Sequence, residues 1–324
     1  MAKAIVLRNY GGPEELRAED IDLGAPGVGE VRLRQTVVGI NFHDAYVRSG
    51  LYRTLALPGI PGIEAAGVVE DIGPGVTGVV GGDRVAYITS AYGAYASHRL
   101  IAADRLIRLP DTIDDRTAGA MMVKGLTVQM LLSKLRPLAR GEACLVHAAA
   151  GGVGQMLTQW AHHLGATVIG TVGTDEKAIR AKANGCDHVI VYTRENFADV
   201  VTAITGGKGV DMVYDSVGAD TFEGSLAVLA PRGCLVNFGQ SSGPISPFAP
   251  SRLAAKSNAL WRPILFHYIE DRAERQRMAD ALFAAVTKGI VKVEIGAEFP
   301  LSAAAEAHRA MEARATTGST ILTV

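Results

Sequence analysis

Apolar positions along the chain change their period about a third of the way in. Up to about Met122 they fall in short strand-like runs: Ala4–Leu7, Glu30–Val38, Ala65–Glu70 and Arg84–Ile88. Turn clusters at Gly11-Gly-Pro13, Gly73-Pro-Gly75 and Gly81-Gly-Asp83 part them, so this segment predicts a small β domain of barrel type. From about Val123 strands and helices alternate. The apolar run Cys144–Ala149 leads into Ala150-Gly-Gly-Val-Gly154, then a helix with Leu157, Trp160, Ala161 and Leu164 on one face, then the strand Thr167–Val172. Helices at 178–183, 196–204 and 221–229 alternate with strands at 188–191, 210–214 and 234–238, which predicts a parallel sheet covered on both faces. Pro244 to Pro250 reads as a loop. Beyond Trp261 the alternation stops: a long helix near Asp271–Lys288, a strand Val291–Ile295, a helix from Ser302 and a strand Thr320–Val324 are expected, with the terminal strands returning to the β domain. The predicted fold is α/β, its β-barrel domain formed by residues 1–124 and 264–324 around an inserted doubly wound domain at 125–263.

Ala149-x-Gly151-x-x-Gly154 is a dinucleotide fingerprint with alanine in place of its first glycine. Its physical demands are a tight turn, close approach of a pyrophosphate to backbone, and a helix N-terminus whose unpaired N–H groups face phosphate. The full strand–turn–helix–strand context makes Gly151, Gly152, Val153 and Gly154 the expected phosphate cradle. An NAD-binding chain carries an acidic residue about 20 positions further on, for the ribose 2′-hydroxyl. Here that position is Gly173, followed by Thr174, with Lys177 one helical turn on to neutralise a 2′-phosphate. NADPH is therefore the expected cofactor, although Asp175 and Glu176 add negative charge that equally suits a first helical turn.

Composition narrows the class. With 324 residues, 48% of them hydrophobic, the chain can bury two sizeable cores, and no apolar run is long enough to span a bilayer. A formal charge of −1 provides no attraction for nucleic acid or an anionic membrane. Cys144, Cys186 and Cys234 are far apart and odd in number, which fits a reducing cytoplasm and neither a disulfide framework nor a zinc finger. The strand-like opening Met-Ala-Lys-Ala-Ile lacks a signal-peptide core.

Several stretches together carry a family resemblance: Gly39-Ile-Asn-Phe-His-Asp-Ala-Tyr-Val-Arg-Ser-Gly-Leu-Tyr52, Lys124-Gly-Leu-Thr127, His147–Gly154, Gly170–Thr174, Tyr214-Asp-Ser-Val-Gly218 and Arg314-Ala-Thr-Thr-Gly-Ser319. Over essentially its whole length the chain resembles the zeta-crystallin-like quinone oxidoreductases, a branch of the medium-chain dehydrogenase/reductase superfamily. The resemblance implies a GroES-like catalytic domain, an inserted Rossmann domain, a homodimer with its edge near Cys234–Pro250, and NADPH-dependent quinone reduction in the cleft between the domains. It adds Tyr192 to the 2′-phosphate site. Ser216, Phe238, Gly239 and Ser241 fall at the sheet edge beside the nicotinamide half, with Gly218 on the same edge, and Arg314 is placed within reach of a phosphate.

Zinc members of the superfamily carry ligands at positions that here are Asn41, Ile63 and Lys124, none a normal zinc ligand, and the four-cysteine structural lobe between Val85 and Arg105 is missing. No metal is expected; His43 and His98 read as solvated or hydrogen-bonded. Without a Lewis acid, alcohol oxidation loses its usual assistance, whereas a quinone needs only hydrogen-bond donors and a proton. Asn41, Tyr46, Tyr52 and Thr127 are the candidate donors, with Asn41, Tyr46 and Thr127 also touching cofactor; Thr127 is expected near the start of an apolar helix. Reduction of activated C=C bonds in enals, enones or acyl-thioesters is the alternative reaction. An NADPH-regulated RNA- or protein-binding role is the alternative class.

Overall fold

The computed structural model describes all 324 residues. In chain order its first elements are strands β1 (Ala2–Leu7), β2 (Leu16–Ile21) and β3 (Glu30–Ile40), helix α1 (Phe42–Arg48), and strands β4 (Glu64–Ile72), β5 (Arg84–Ile88), β6 (His98–Ala102) and β7 (Leu106–Arg108). Helix α2 (Asp115–Ser133) leads to β8 (Ala143–Val146), α3 (Gly152–His163), β9 (Thr167–Val172), α4 (Asp175–Ala183), β10 (His188–Val191) and α5 (Phe197–Ile204). Then come β11 (Val210–Asp215), α6 (Phe222–Ala227), β12 (Leu229–Asn237) and β13 (Ala259–Trp261). The chain closes with α7 (Leu265–Tyr268), α8 (Arg272–Thr287), β14 (Ile295–Pro300), α9 (Ala304–Glu312) and β15 (Ser319–Thr323). One unit comprises Met1–Leu126, Tyr268–Thr287 and Val293–Val324; the other comprises Thr127–His267 and Lys288–Lys292. No helix is long and apolar enough to cross a membrane.

The first unit is built on β3. Its sheet runs β14-β15-β3-β4-β5-β7, with β6 also paired to β3, and β1 and β2 form a separate hairpin. Residues Glu30–Arg34 of β3 pair with β6, whereas Val37–Ile40 pair with β15. Bulges in the β3–β4 ladder, at Arg32/Leu33 and Gln35/Val37, let one long strand serve both sets of partners by bending. Val31 and Leu33 point inward with no exposure while Arg34 faces solvent; from Val37 to Ile40 every residue is buried, because α2 lies over that half. A Cβ on Gly119 of α2 would stand 2.5 Å from Val37 Cγ1, so the helix rests directly on the strand. Asp115 anchors its start, accepting from Arg84 at 2.7 Å and Thr36 Oγ1 at 2.8 Å. The terminal strands return to this sheet as the sequence predicts: β15 pairs antiparallel with β3, Thr320 opposite Ile40.

The second unit is a six-stranded parallel sheet in the order β10-β9-β8-β11-β12-β13, the doubly wound arrangement. Ile169, Leu145, Val213, Leu235 and Leu260 stand in register across five of its strands and belong to one core cluster. Burying each aliphatic side chain in that row contributes about 1.5–3 kcal/mol.

Four expectations need correction. The strand expected at Val291–Ile295 begins only at Ile295; before it, the Gln159 side chain holds both Lys292 backbone groups, at 2.7 and 3.0 Å, and so takes the place of a ladder. The run Cys144–Ala149 leaves strand geometry after Val146, because Ala148 turns left-handed at φ +53°. The helix expected at Thr221–Leu229 is only Phe222–Ala227, and the following strand starts at Leu229, paired with Val210. The first part of α2, Asp115–Met122, lies in a segment read as β. Its faces are buried nearly all round, so no polar stripe marks its period.

Candidate active site

At the end of β3 the chain turns into α1, and Asn41 occupies the junction. Its backbone N–H donates to Asp44 Oδ2 at 2.8 Å, the acidic half of a capping box. Its side chain meets two charges that the sequence reading did not connect. Nδ2 donates to Glu64 Oε1 at 2.8 Å, and Oδ1 accepts from Lys124 Nζ at 3.0 Å. Lys124 also pairs with Glu64 Oε1 at 2.9 Å, while the Val123 amide donates to Oε2 at 2.7 Å. Glu64 is wholly buried and Lys124 only 5% exposed. Such a pair is tolerated in low dielectric only when its lone pairs and protons are so satisfied. Glu64 is not among the residues the sequence singles out, although an acid inside the apolar run Pro61-Gly-Ile-Glu-Ala-Ala is itself the signal of a buried partner.

Behind Asn41 runs a second buried chain. Tyr95 Oη donates to Asp44 Oδ2 at 3.1 Å and lies 2.9 Å from His308 Nε2 on α9. Burial, together with the nearby Glu64 charge, pushes the Asp44 carboxyl up to about 7. Burial drives His308 down to about 3, helped by the charge of Arg48. Arg48, at the end of α1, makes a bidentate pair with Glu312 of α9 at 2.9 and 2.6 Å, fastening the two helices together.

Beside this core lies an aromatic group. Tyr46 and Tyr52 meet edge to face with centroids 5.2 Å apart. His43 lies 5.7 Å from the Tyr52 ring and stacks on Tyr92 at 6.0 Å, its Nε2 hydrogen-bonded to Tyr92 Oη at 3.1 Å. Tyr92 in turn bonds Thr54 Oγ1. His43 is thus hydrogen-bonded rather than solvated, and burial lowers it to about 4. Neither His43 nor Tyr92 stood out as a site residue in the sequence. Thr127 needs correction: it lies in the middle of α2, buried, and neither caps nor turns the chain. Arg314 is left-handed at φ +56°, two residues beyond α9, its amide donating to Met311 O.

In the second unit the glycine turn has the expected form. Gly151 is the N-cap of α3, with no capping side chain and no acidic residue in the first turn, so the amides of Gly152, Val153 and Gly154 are left to an anion. A Cβ on Gly154 would stand 2.2 Å from Ala148 O, which is why the third glycine is needed: the helix starts pressed against the turn. At the end of β9, a Cβ on Gly173 would meet Tyr192 Oη at 2.8 Å, and Thr174 caps α4 by accepting from the Lys177 amide at 3.2 Å. Gly173, Thr174, Lys177 and Tyr192 therefore form one group. Asp175, the charge that weighed against a phosphate, is held by Arg194 in a bidentate pair at 2.8 and 2.5 Å. Along the same sheet edge Ser241 N donates to Ser216 O at 3.2 Å, Phe238 N to Asp215 O at 2.9 Å, and a Cβ on Gly239 would meet Ser216 O at 2.6 Å. Asp215, buried, organises that edge by accepting from the amides of Val217 and Gly218.

These two units correspond to known domain models. Residues 27–111 match the alcohol dehydrogenase GroES-like domain, and residues 152–283 match the model described as zinc-binding dehydrogenase. Over 99% of both chains the sequence is 47% identical to the quinone oxidoreductase of Pseudomonas aeruginosa and 44% identical to quinone oxidoreductase 1 of Escherichia coli. The chain belongs to the quinone oxidoreductase family of the medium-chain dehydrogenases/reductases. Its fold follows that family throughout: the structure of the Escherichia coli quinone oxidoreductase complexed with NADPH superposes with a TM-score of 0.97 at 43% identity, covering 100% of both chains. A 2-haloacrylate reductase from Burkholderia is 44% identical over 99% of both chains.

The zinc in one model's description does not fit this member's donors. Asn41, Ile63 and Lys124 provide an amide, a hydrocarbon and an ammonium where the metal takes thiolate, imidazole or carboxylate. Glu64, the carboxylate that meets the Asn41 and Lys124 side chains, has both its oxygens already taken. No group of three or more His, Cys, Asp or Glu side chains is arranged to hold a metal ion.

Proposed function

We propose that the protein reduces quinones with NADPH, without a metal. The observation that carries this reading is the replacement of a metal site by the Asn41–Glu64–Lys124 cluster, in a family whose members are quinone oxidoreductases. In this reading the amides of Gly151, Gly152, Val153 and Gly154 hold the pyrophosphate. Gly173, Thr174, Lys177 and Tyr192 hold the 2′-phosphate, with Arg194 neutralising Asp175. Ser216, Phe238, Gly239 and Ser241 border the nicotinamide half, and Asn41, Tyr46, Thr127 and Arg314 complete the cofactor's contacts.

Bound NADPH supplies a hydride, or two electrons in sequence. The chain's own part is to receive the acceptor. Tyr46 and Tyr52 present ring faces to a flat quinone, and the Asn41 amide with the Tyr46, Tyr52 and Thr127 hydroxyls donates to the oxygen on which charge grows. With a hydride, one proton from solvent completes the hydroquinone; with two single electrons, two protons do, one of them released as the cofactor is oxidised. The same reading takes the protein as a cytoplasmic homodimer joined near Cys234–Pro250.

A second reading, reduction of an activated C=C bond, is supported by the kinship with the 2-haloacrylate reductase. NADPH oxidation measured against quinones from 1,4-benzoquinone to polycyclic quinones, and against enones and 2-haloacrylates, separates the two. Faster turnover of quinones is expected; faster turnover of the C=C acceptors would replace the first reading with the second.

A further inference from the structure

We infer that Lys124 and Glu64 are positioning residues that lock the Asn41 amide in one orientation, keeping a Nδ2–H free for the acceptor oxygen and Oδ1 turned away from it. The inference rests on the proposed role of Asn41 as a donor and says how that role is enforced.

An asparagine amide can exchange its oxygen and nitrogen by a half-turn with almost no steric consequence. At a site where negative charge develops, the wrong half-turn offers a lone pair in place of a proton. The neighbours of Asn41 break this symmetry. Lys124 Nζ only donates, and it faces Oδ1 at 3.0 Å. Glu64 Oε1, when ionised, only accepts, and it faces Nδ2 at 2.8 Å. A half-turn would set a donor against the ammonium and a lone pair against the carboxylate, two repulsions among side chains at most 9% exposed.

The lock is itself held. The Val123 amide fixes the second Glu64 oxygen at 2.7 Å, and Asp44 holds the Asn41 backbone at 2.8 Å. Gly39 makes room for the carboxylate: a Cβ there would stand 2.2 Å from Glu64 Oε1. With one Nδ2–H on Glu64 and Oδ1 on Lys124, the second Nδ2–H remains for a ligand.

The test combines a double-mutant cycle with a measurement on the unaltered protein. The variant Lys124→Met/Glu64→Gln removes both buried charges together, which spares the fold an unpaired one. Its kcat for quinone should fall to that of Asn41→Ala, about 100-fold below wild type, the scale of losing one oxyanion donor. Adding Asn41→Ala to it should cost nothing more in kcat, and the quinone KM of the double variant, which keeps the Asn41 amide, should stay within about twofold of wild type, since the lock acts on charge that develops only during reaction. Wild-type kcat in the double variant, an Asn41→Ala effect that simply multiplies, or a loss carried in KM overturns the inference. Should the double variant not fold, hydrogen exchange of the Asn41 side-chain amide in the ¹⁵N-asparagine-labelled wild type decides. One Nδ2 proton should exchange far more slowly than those of exposed asparagines; two fast protons overturn the lock. A wild type inert toward quinones refutes the functional reading by itself, before any variant is made, and leaves the exchange measurement to judge the lock.

Discussion

At the scale of single residues, the proposed 2′-phosphate site is tested at one charge. Lys177 sits in the first turn of α4, which starts just after Gly173, the residue that Tyr192 packs against, and Asp175 of the same turn is occupied by Arg194. Lys177→Ala should weaken NADPH binding by about 10- to 100-fold, the worth of one charge-assisted hydrogen bond, and leave NADH binding nearly unchanged. Fluorescence titration with both reduced cofactors measures this, and an unaltered preference would remove Lys177 from the site. The residues of this region were readable because a glycine and a lysine in place of an acid are visible in a linear sequence. Asn41 was readable as a type, but its partners were not: Glu64 and Lys124 reach it from β4 and α2, and spacing along the chain carries no trace of that meeting. The partner of His43 was hidden for the same reason, since Tyr92 comes from a distant turn.

At the scale of elements, three backbones converge where no side chain can be spared room. A Cβ on Gly39 would stand 2.2 Å from Glu64 Oε1 and 2.4 Å from Gly119 O, so β3, β4 and α2 must part if one is added. Gly39→Ala should therefore destabilise the protein by about 1–3 kcal/mol, the usual cost of overpacking, measured by the urea midpoint. A midpoint equal to that of the wild type would mean the elements separate freely. Elements with a clean period, such as α3 with its apolar face, were legible in the sequence. The start of helix α2 was not, because burial on nearly every face erases the polar stripe, and the start of β14 was not, because Gln159 holds the chain just before it. The tight turn before α3 shifted the end of β8 by a similar local effect, a left-handed Ala148.

For the molecule as a whole, buried titratable groups set the pH range of stability. Burial holds His147 and His43 at about 4 and His308 at about 3, below the ordinary 6.5. Their folded values lie below the unfolded one, so the stability they contribute is full above pH 6.5 and is lost as pH falls toward 4. Asp44 works the other way. Its value rises from 3.8 to about 7, so its contribution is full below pH 3.8 and is lost as pH rises through 7. Between these limits three histidines oppose one carboxyl, and stability should fall on acidification, by up to about 1.4 kcal/mol per pH unit for each group in net excess. In Asp44→Asn the opposing arm is gone, so urea midpoints from pH 4.5 to 8 should rise more steeply below neutrality and lose any decline above it. Superimposable profiles would contradict this assignment. The architecture at this scale was the most legible part, since strand–helix alternation implies the parallel sheet and the two terminal strands have no partner but the β domain. The buried titratable network was the least legible, for burial is a property of the fold and not of any residue.

The internal pair of Lys124 and Glu64 also bears on how this branch can change. Exchanging Lys124 for a cysteine, the first move back toward a metal enzyme, takes away the cation before any zinc has ligands enough to arrive. A carboxylate without exposure is then left uncompensated, at a cost of about 3–5 kcal/mol, a large share of what holds a protein of this kind together. Asn41, Ile63 and Lys124 would have to change together.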